Sequence, residues 1–221
     1  MFLLVAEYLT RALNEFKYHV FIMSFIADFL EDTGQIIRQI NYSDVEAVVD
    51  ILASTRDRGG RLFLAGSGGG AGHSSHAACD FRKLCGLEAY CVTDNVSELT
   101  ARINDEGWES SLAMWLKSSR MSNIDTLLVF SVGGGSQNPD VSVNLVRAVE
   151  FAIGCGADVV GIVGRDGGFV RKMSSASVLI PSRNPKHITP QVEGLQAVIW
   201  HLLVSHPKLS MNSTKWESLS K

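Results

Sequence analysis

Apolar and polar positions along this chain change their period several times, which predicts helices and strands in alternation. The first part is helical in pattern, at about 24–40 and again at 43–58, where Ser43 is a suitable N-cap and Gly59-Gly60 ends the helix. Further along, runs that are apolar throughout predict strands, and longer amphipathic runs predict helices. The strands are predicted at 61–65, 89–93, 126–131, 158–163 and 177–180, and the helices at 73–84, 97–102, 108–118, 139–154, from 168 and from 189.

Apolar strands separated by helices indicate a parallel sheet that is covered on both faces. The predicted fold class is therefore α/β, a doubly wound parallel sheet preceded by N-terminal helices. Ligands of such sheets bind at the carboxyl ends of the strands. Two loops rich in glycine and serine, at 66–74 and 131–140, lie at those ends.

The opening 22 residues are apolar but are interrupted by Glu7, Arg11, Glu15 and Lys17. This pattern predicts an amphipathic helix, because a membrane span needs about 20 apolar residues and a signal peptide needs a basic start and a cleavage site. Met23 offers a second possible start, and the sequence does not choose between the two.

The composition and charge of the chain argue against nucleic-acid-binding and membrane-binding proteins. The chain has 221 residues, 46% of them hydrophobic, and a net charge of −3. It has neither the basic surface expected of a nucleic-acid-binding protein nor that of a membrane-binding one. Its four cysteines have no CxxC spacing, so we expect free thiols and a cytoplasmic location.

Each glycine loop follows an apolar strand and opens a helix. Such a loop can direct backbone N–H groups and serine hydroxyls at an anion, and two of them in one sheet favour a phosphate ester over plain turns. Neither matches the P-loop pattern, and no acidic residue is placed to hold a ribose, which disfavours a nucleotide site.

Two pairs of side chains have the spacing of metal ligands. His76 and Asp80 are four residues apart on one helix, and Glu193 and His201 lie on roughly one face of the last helix. Together they offer a set suited to zinc or another divalent ion. Each histidine alone is more commonly a hydrogen-bonded core residue, and spacing does not bring the helices together. His73 is either a third imidazole or a part of the phosphate loop.

Six collinear stretches carry a resemblance to a known family. They are Gly66–Gly70 against the family's GNGGS, His76–Asp80 against HxxxE, Asn104–Trp108 against an ND-x-G-aromatic motif, Ser131–Ser136 against STSGNS, Gly164–Gly168 against GKDGG, and Glu193 with His201 against a glutamine and a histidine eight residues apart. Through them the region 43–206 resembles the sugar isomerase (SIS) domain of the phosphoheptose isomerase family.

That resemblance implies a fold and a reaction. The fold is a flavodoxin-like three-layer sandwich of the SIS type at 43–207, after an oligomerising helical extension at 1–42 and before a polar tail at 208–221. The reaction is the conversion of sedoheptulose 7-phosphate to D-glycero-D-manno-heptose 7-phosphate through an enediol. The family is a homotetramer with sites at subunit interfaces.

The resemblance also assigns residues. Asp80 would be the base and His201 the acid or second base, while His76, Asp80, Glu193 and His201 would hold Zn²⁺ or another divalent metal. The substrate and its phosphate would be bound by Ser67, Gly68, Gly69, Gly70, Asn104, Asp105, Ser131, Gly133 and Ser136.

The chain departs from the family in both parts of the site. Asp80 is shorter than the family's glutamate, Glu193 adds a charge where the family has glutamine, and the glycine loops have fewer hydroxyl and amide donors. An alternative function is therefore a non-catalytic SIS module that binds a sugar phosphate or a protein partner, as a regulator or a replication-initiator-associating protein does.

Overall fold

The computed structural model describes residues 2–212, without the side chains at 2–10, 12, 13, 16 and 19–21. Much of the tail predicted at 208–221 lies outside the described residues. The chain divides into two compact units between Gln39 and Ile40, close to the boundary predicted at 42/43. The first unit contains one continuous helix, α1 (Phe2–Arg38), which includes the segment before Met23. Within the described residues every helix is too short or too polar to cross a bilayer.

The second unit alternates strands and helices as the sequence predicts. Its elements are α2 (Tyr42–Asp57), β1 (Arg61–Gly66), α3 (Gly69–Cys85), β2 (Glu88–Cys91), α4 (Val96–Glu106), α5 (Ser111–Ser118), β3 (Thr126–Ser131), β4 (Ser136–Gln137), β5 (Asp140–Val141), α6 (Val143–Gly154), β6 (Asp158–Val163), α7 (Gly168–Met173), β7 (Ala176–Leu179) and α8 (Ile188–Ser205). A 3₁₀ turn, Pro185–His187, precedes α8.

Five strands form one parallel sheet in the order β2-β1-β3-β6-β7. This is the doubly wound, flavodoxin-like order, and it confirms the predicted fold class. The order reverses between β1 and β3, so the loops that leave these two strands diverge to opposite faces of the sheet. A ligand site is expected in the crevice between them, and both glycine loops begin there.

The strands form because nearly every residue in them is buried on one face or the other. Phe63, Leu127 and Val159 pack with residues of α5 and α6 in one continuous core cluster. Their neighbours Leu62 and Leu128 are also fully buried, on the face opposite to that cluster. There α3 packs on β1 and β2, and α8 packs on α3 and β6. The packing of α3 on α8 brings the side chains of the candidate site together.

Two local predictions are wrong. Ser43 is not the N-cap of α2; Asn41 is, and its side chain accepts a hydrogen bond from the Ser43 N–H at 3.0 Å. No helix begins at Pro139, because residues 136–141 pair as the antiparallel hairpin β4–β5, turned by a cis Asn138–Pro139 peptide. The helix α6 begins only at Val143.

A buried ion pair joins the amino ends of β1 and β3. Asp125 is fully buried and accepts hydrogen bonds from the Arg61 backbone N–H at 2.8 Å, from the Arg61 guanidinium at 2.8 Å and from the Ser122 N–H at 2.8 Å. Burial alone would raise the pKa of Asp125, but these bonds outweigh it and hold the pKa below its ordinary value. Asp125 therefore stays charged and fixes the start of both strands.

Replacing Asp125 by alanine should lower the free energy of unfolding by about 3–5 kcal/mol, since it leaves the Arg61 guanidinium without its partner. Asp57→Ala is the matched control, because Asp57 is exposed and its pair with Arg56 contributes little. Urea denaturation followed by circular dichroism measures both. The folded pKa of Asp125 is depressed, so its contribution is present above about pH 4 and is lost as the pH falls further. A loss below about 1 kcal/mol at pH 7 for Asp125→Ala would contradict this account.

Candidate functional site at the carboxyl ends of β1 and β3

The first glycine loop lets α3 start in direct contact with the sheet. A Cβ on Gly66 would lie 2.2 Å from the carbonyl carbon of Gly70, and a Cβ on Gly70 would lie 2.6 Å from the carbonyl oxygen of Phe130 in β3. No side chain fits at either position. The missing side chains thus bring the first turn of α3 against the ends of β1 and β3.

The next glycines shape the space in front of that turn. Gly68 is the N-cap of α3 at φ +57 and ψ −123, a conformation that is essentially restricted to glycine. A Cβ on Gly69 would lie 2.5 Å from the carboxyl carbon of Glu193 in α8. The absence of a side chain at Gly69 therefore gives the Glu193 carboxylate its place beside the loop.

A cavity of about 280 Å³ opens between the two glycine loops and the start of α8. Its polar lining consists of hydroxyl groups, one carboxylate, one guanidinium and one carboxamide. The lining residues are Ser67, Gly70, Phe130, Ser131, Val132, Gly133, Val141, Ser142, Leu145, Arg165, Thr189, Glu193 and Gln196.

The serine hydroxyls of this cavity are held as donors. The Ser67 oxygen accepts a bond from the Asn144 side-chain amide at 3.2 Å, and the Ser131 oxygen accepts one from the Gly134 N–H at 3.0 Å. Each hydroxyl keeps its hydrogen for a further partner. Donors that converge in this way suit the oxygens of a phosphoryl group.

Two buried carboxamides bring acceptors to the same region. Gln196 is fully buried and donates to the Ile162 carbonyl at 2.9 Å, but its Oε1 has no partner among the described residues. The Oδ1 of Asn144, beside Ser67, is in the same state. Because a buried acceptor without a partner is costly, these oxygens indicate a ligand or water that donates to them, as a sugar hydroxyl would.

A histidine–carboxylate cluster lies one to three turns further along α3. His76, Asp80 and His201 each offer one ligand atom, and these atoms all lie within 4.8 Å of one another. The Nε2 of His76 is 4.0 Å from the Asp80 carboxylate, and the rings of His76 and His201 are 5.6 Å apart. The packing of α3 on α8 thus brings the pair His76 and Asp80 against His201, which is more than a hundred positions away in sequence.

The hydrogen bond of His201 determines which ring nitrogen is available. Its Nδ1 lies 2.7 Å from the carbonyl oxygen of Ala197, which can only accept, so Nδ1 carries the hydrogen. In the neutral ring, Nε2 then has a free lone pair. A backbone carbonyl that orients a histidine in this way is typical of metal-binding and proton-transferring histidines.

Glu193 and His73 lie between the cavity and the cluster. Burial lowers the pKa of His73, and the nearby imidazoles of His76 and His201 lower it further. A hydrogen bond to the Glu193 backbone and the negative charge of the Glu193 carboxylate act in the opposite direction. Glu193 lines the cavity and adjoins Gly69, and it is not one of the three residues whose ligand atoms group together. The structure therefore assembles three of the four expected metal ligands and places the fourth beside the first glycine loop.

The remaining predicted residues are divided between this site and its surroundings. Ser67, Gly70, Ser131 and Gly133 line the cavity. Ser136 lies in the hairpin and lines a neighbouring cavity of about 510 Å³. Asn104 and Asp105 are exposed on α4, where the Asn104 amide donates to the Asp105 carboxylate at 2.7 Å, and neither is among the residues that line the cavity.

Four polar lining residues received no role from the sequence: Ser142, Arg165, Thr189 and Gln196. Gln196 lies three residues after Glu193, on the same face of α8, and helical spacing from Glu193 could have indicated it. Arg165 lies in the stretch Gly164–Gly168 that matches the family's GKDGG, which pointed to this loop, and the packing of the loops places it at the cavity.

Known proteins resemble this chain in sequence and in fold. No protein-family model matches the chain. It is 31% identical to the lincomycin biosynthesis protein LmbN of Streptomyces lincolnensis over 195 residues, which are 83% of this chain and 69% of that protein. It is 29% identical to the phosphoheptose isomerase of Helicobacter pylori over 160 residues, 70% of this chain and 78% of the relative. The structure of a phosphoheptose isomerase from Francisella tularensis superposes with a TM-score of 0.70 at 22% identity, covering 83% of this chain and 94% of that one.

The contact of the first glycine loop with β3 is directly testable. Gly70→Ala should lower the free energy of unfolding by about 1–3 kcal/mol, because its Cβ overlaps the Phe130 carbonyl and the helix must move. Gly72→Ala is the control on the same helix, where a Cβ meets nothing within 4 Å and alanine should be neutral or stabilising. Thermal and urea denaturation of the two variants measure the difference. Equal stability of the two variants would contradict the close contact.

Proposed function

The chain belongs to the phosphoheptose isomerase family of SIS-domain proteins and is a sugar phosphate isomerase, and we propose that it converts sedoheptulose 7-phosphate to D-glycero-D-manno-heptose 7-phosphate. One observation carries the proposal. A cavity lined with hydroxyl donors lies at the first turn of α3, and a cluster of two imidazoles and a carboxylate lies further along α3, where α8 packs on it. A phosphate anchor and a proton-transfer group at separate points suit a linear sugar phosphate.

The phosphate-binding cavity positions the substrate. In our proposal the phosphoryl group accepts hydrogen bonds from Ser67 and Ser131, which fixes the far end of the sugar. The buried Oε1 of Gln196 then accepts from a sugar hydroxyl, and the carbonyl end extends towards α3 and α8. Holding the substrate at two points turns proton transfer into a step between fixed groups, which is a large part of what such an enzyme contributes.

The cluster supplies proton transfer. The Asp80 carboxylate takes a proton from C1 of the ketose, and the electron pair forms the C1–C2 double bond of an enediol. The Nε2 of His201 moves a proton between the two sugar oxygens, and Asp80 returns its proton to C2 to give the aldose. The Asp80 side chain is 20% exposed, so its carboxylate can exchange the transferred proton with solvent.

The residues of the cluster also fit a divalent metal, zinc or another ion. Because His201 has only one free ring nitrogen, its Nε2 would then bind the ion instead of carrying the proton. His76, Asp80 and His201 would hold it, because imidazole nitrogen and carboxylate oxygen are the ligands that zinc takes and their atoms lie close together. When bound, such an ion stabilises negative charge on the sugar oxygens. Glu193 can join the set only if its carboxylate moves from its place beside Gly69. We further propose that the protein is a homotetramer, as the family resemblance implies, with sites at its subunit interfaces.

The metal proposal predicts a loss of affinity on removing either imidazole. His76→Ala and His201→Ala should each weaken Zn²⁺ or Co²⁺ binding at least about 10-fold, since a three-ligand site loses one ligand. Isothermal titration calorimetry of the metal-free protein measures the affinity. His206→Ala is the matched control, because His206 pairs with Glu46 and has no part in the cluster. Unchanged affinity in both cluster variants would rule out this metal site.

The proton-transfer proposal predicts that Asp80→Asn lowers kcat by about 10²–10⁴-fold, the usual contribution of a positioned base. The amide keeps the size of the side chain and removes its basicity. Turnover is measured by proton NMR of sedoheptulose 7-phosphate as the aldose appears, and circular dichroism verifies the fold. Asp57→Asn on the exposed end of α2 is the control. An Asp80→Asn enzyme that keeps more than about a tenth of the activity would contradict the proposed role of the carboxylate.

A further inference from the structure

We propose that Arg165 is the cationic ligand of the substrate's phosphoryl group, a role that rests on the proposed function and extends it. Arg165 follows β6 and lines the 280 Å³ cavity together with Ser67 and Ser131. It also lines the neighbouring cavity beneath the β4–β5 hairpin. Arg165 thus lies at the junction of the two spaces.

The backbone of the Arg165 loop is fixed against the second glycine loop. The Phe169 N–H donates to the Gly135 carbonyl at 2.9 Å, and the Val170 N–H donates to the Gly134 carbonyl at 2.9 Å. A Cβ on Gly134 would overlap the carbonyl of Gly167, so the two loops pack backbone on backbone. Movement of one loop would require movement of the other, and Arg165 therefore keeps its position beside the cavity.

Arg165 itself has a left-handed backbone, with φ 54. For a residue with a side chain this conformation costs on the order of 1 kcal/mol. The turn that requires it is closed by a hydrogen bond from the Gly167 N–H to the Gly164 carbonyl at 2.9 Å. Glycine would relieve this cost, yet the position holds a long cationic side chain that lines the cavity. Its aliphatic part lies against the second loop, with Cδ 3.8 Å from where a Cβ on Gly133 would be.

The charges of the cavity favour a cation beside a bound phosphate. Glu193 is the one carboxylate among the lining residues and Arg165 the one cation, while the other polar groups are hydroxyls and a carboxamide. A phosphate dianion brought into this space would face the Glu193 carboxylate, and hydroxyl donors alone do not offset that repulsion. A guanidinium does, and its paired N–H groups match phosphate oxygens.

The guanidinium of Arg165 is also uncommitted. Within the described part of the chain it has no ion pair, whereas Arg58, Arg61 and Arg102 each contact a carboxylate within 3 Å. The adjacent Asp166 carboxylate accepts the Gly168 N–H at 3.2 Å instead. A cavity-lining arginine without a counter-ion beside two serine donors is the arrangement that an anionic ligand completes.

The test compares Arg165→Gly with Arg120→Gly. Arg120 is an exposed arginine with nearly the same backbone conformation, φ 53, and it lies before β3 at the opposite end of the sheet. Glycine suits both backbones, so both variants should fold, and circular dichroism verifies it. The probes are inorganic phosphate and sedoheptulose 7-phosphate, with affinity measured by calorimetry and KM by the NMR assay.

Arg165→Gly should weaken binding of both probes and raise KM by about 10- to 100-fold, the value of hydrogen bonds to a charged group, while kcat changes less. Arg165→Lys should recover part of the affinity, and Arg120→Gly should behave as wild type.

Wild-type phosphate affinity in Arg165→Gly would overturn the assignment even if the enzyme is an active isomerase. A wild-type protein that binds phosphate through Arg165 but does not isomerise the sugar would keep the assignment and overturn the proposed function. A wild-type protein that binds neither probe would overturn both.

Discussion

The site depends on one steric constraint, the contact of the first turn of α3 with the ends of β1 and β3. Gly66 and Gly70 permit it, because a side chain at either position would overlap backbone atoms. Once α3 starts there, its later turns pack on α8, and His76 and Asp80 meet His201. The same contact places Ser67 opposite Ser131 across the cavity. The cavity and the histidine–carboxylate cluster are therefore held at a fixed separation by α3 and its packing on α8.

The second glycine loop is held in place by backbone contacts with the loop that contains Arg165. Residues 131–135 and 164–168 are joined by backbone hydrogen bonds and by close glycine contacts, so neither loop depends on side-chain packing for its position. This joined pair of loops presents Arg165 to a cavity whose other ionised group is Glu193. The cavity thus combines one cation, one carboxylate and several hydroxyl donors, which is the chemistry of a polar, phosphorylated ligand.

The sequence predicted what local patterns encode. The strands 126–131 and 158–163 were predicted to the residue because they are continuous apolar runs between breakers. The Asn138-Pro139 pair was misread because the same dipeptide can start a helix or turn a hairpin, and pairing across 136–141 decides between them. The meeting of His76 with His201 followed from family resemblance, since periodicity contains no information on which helices pack. The positions of the Glu193 and Arg165 side chains could not be predicted, because they depend on loop geometry. The space at Gly69 admits the Glu193 carboxylate, and the backbone contacts at Gly134 hold the loop that contains Arg165.

The most direct test of the central claim is proton NMR of sedoheptulose 7-phosphate in D₂O with the wild-type protein, with and without added zinc. The account predicts an aldoheptose phosphate that carries deuterium at C2, because Asp80 exchanges its proton with solvent while the enediol is bound. Folded protein that gives neither an aldose nor exchange at C1 under either condition would contradict the assignment of this site to that isomerisation.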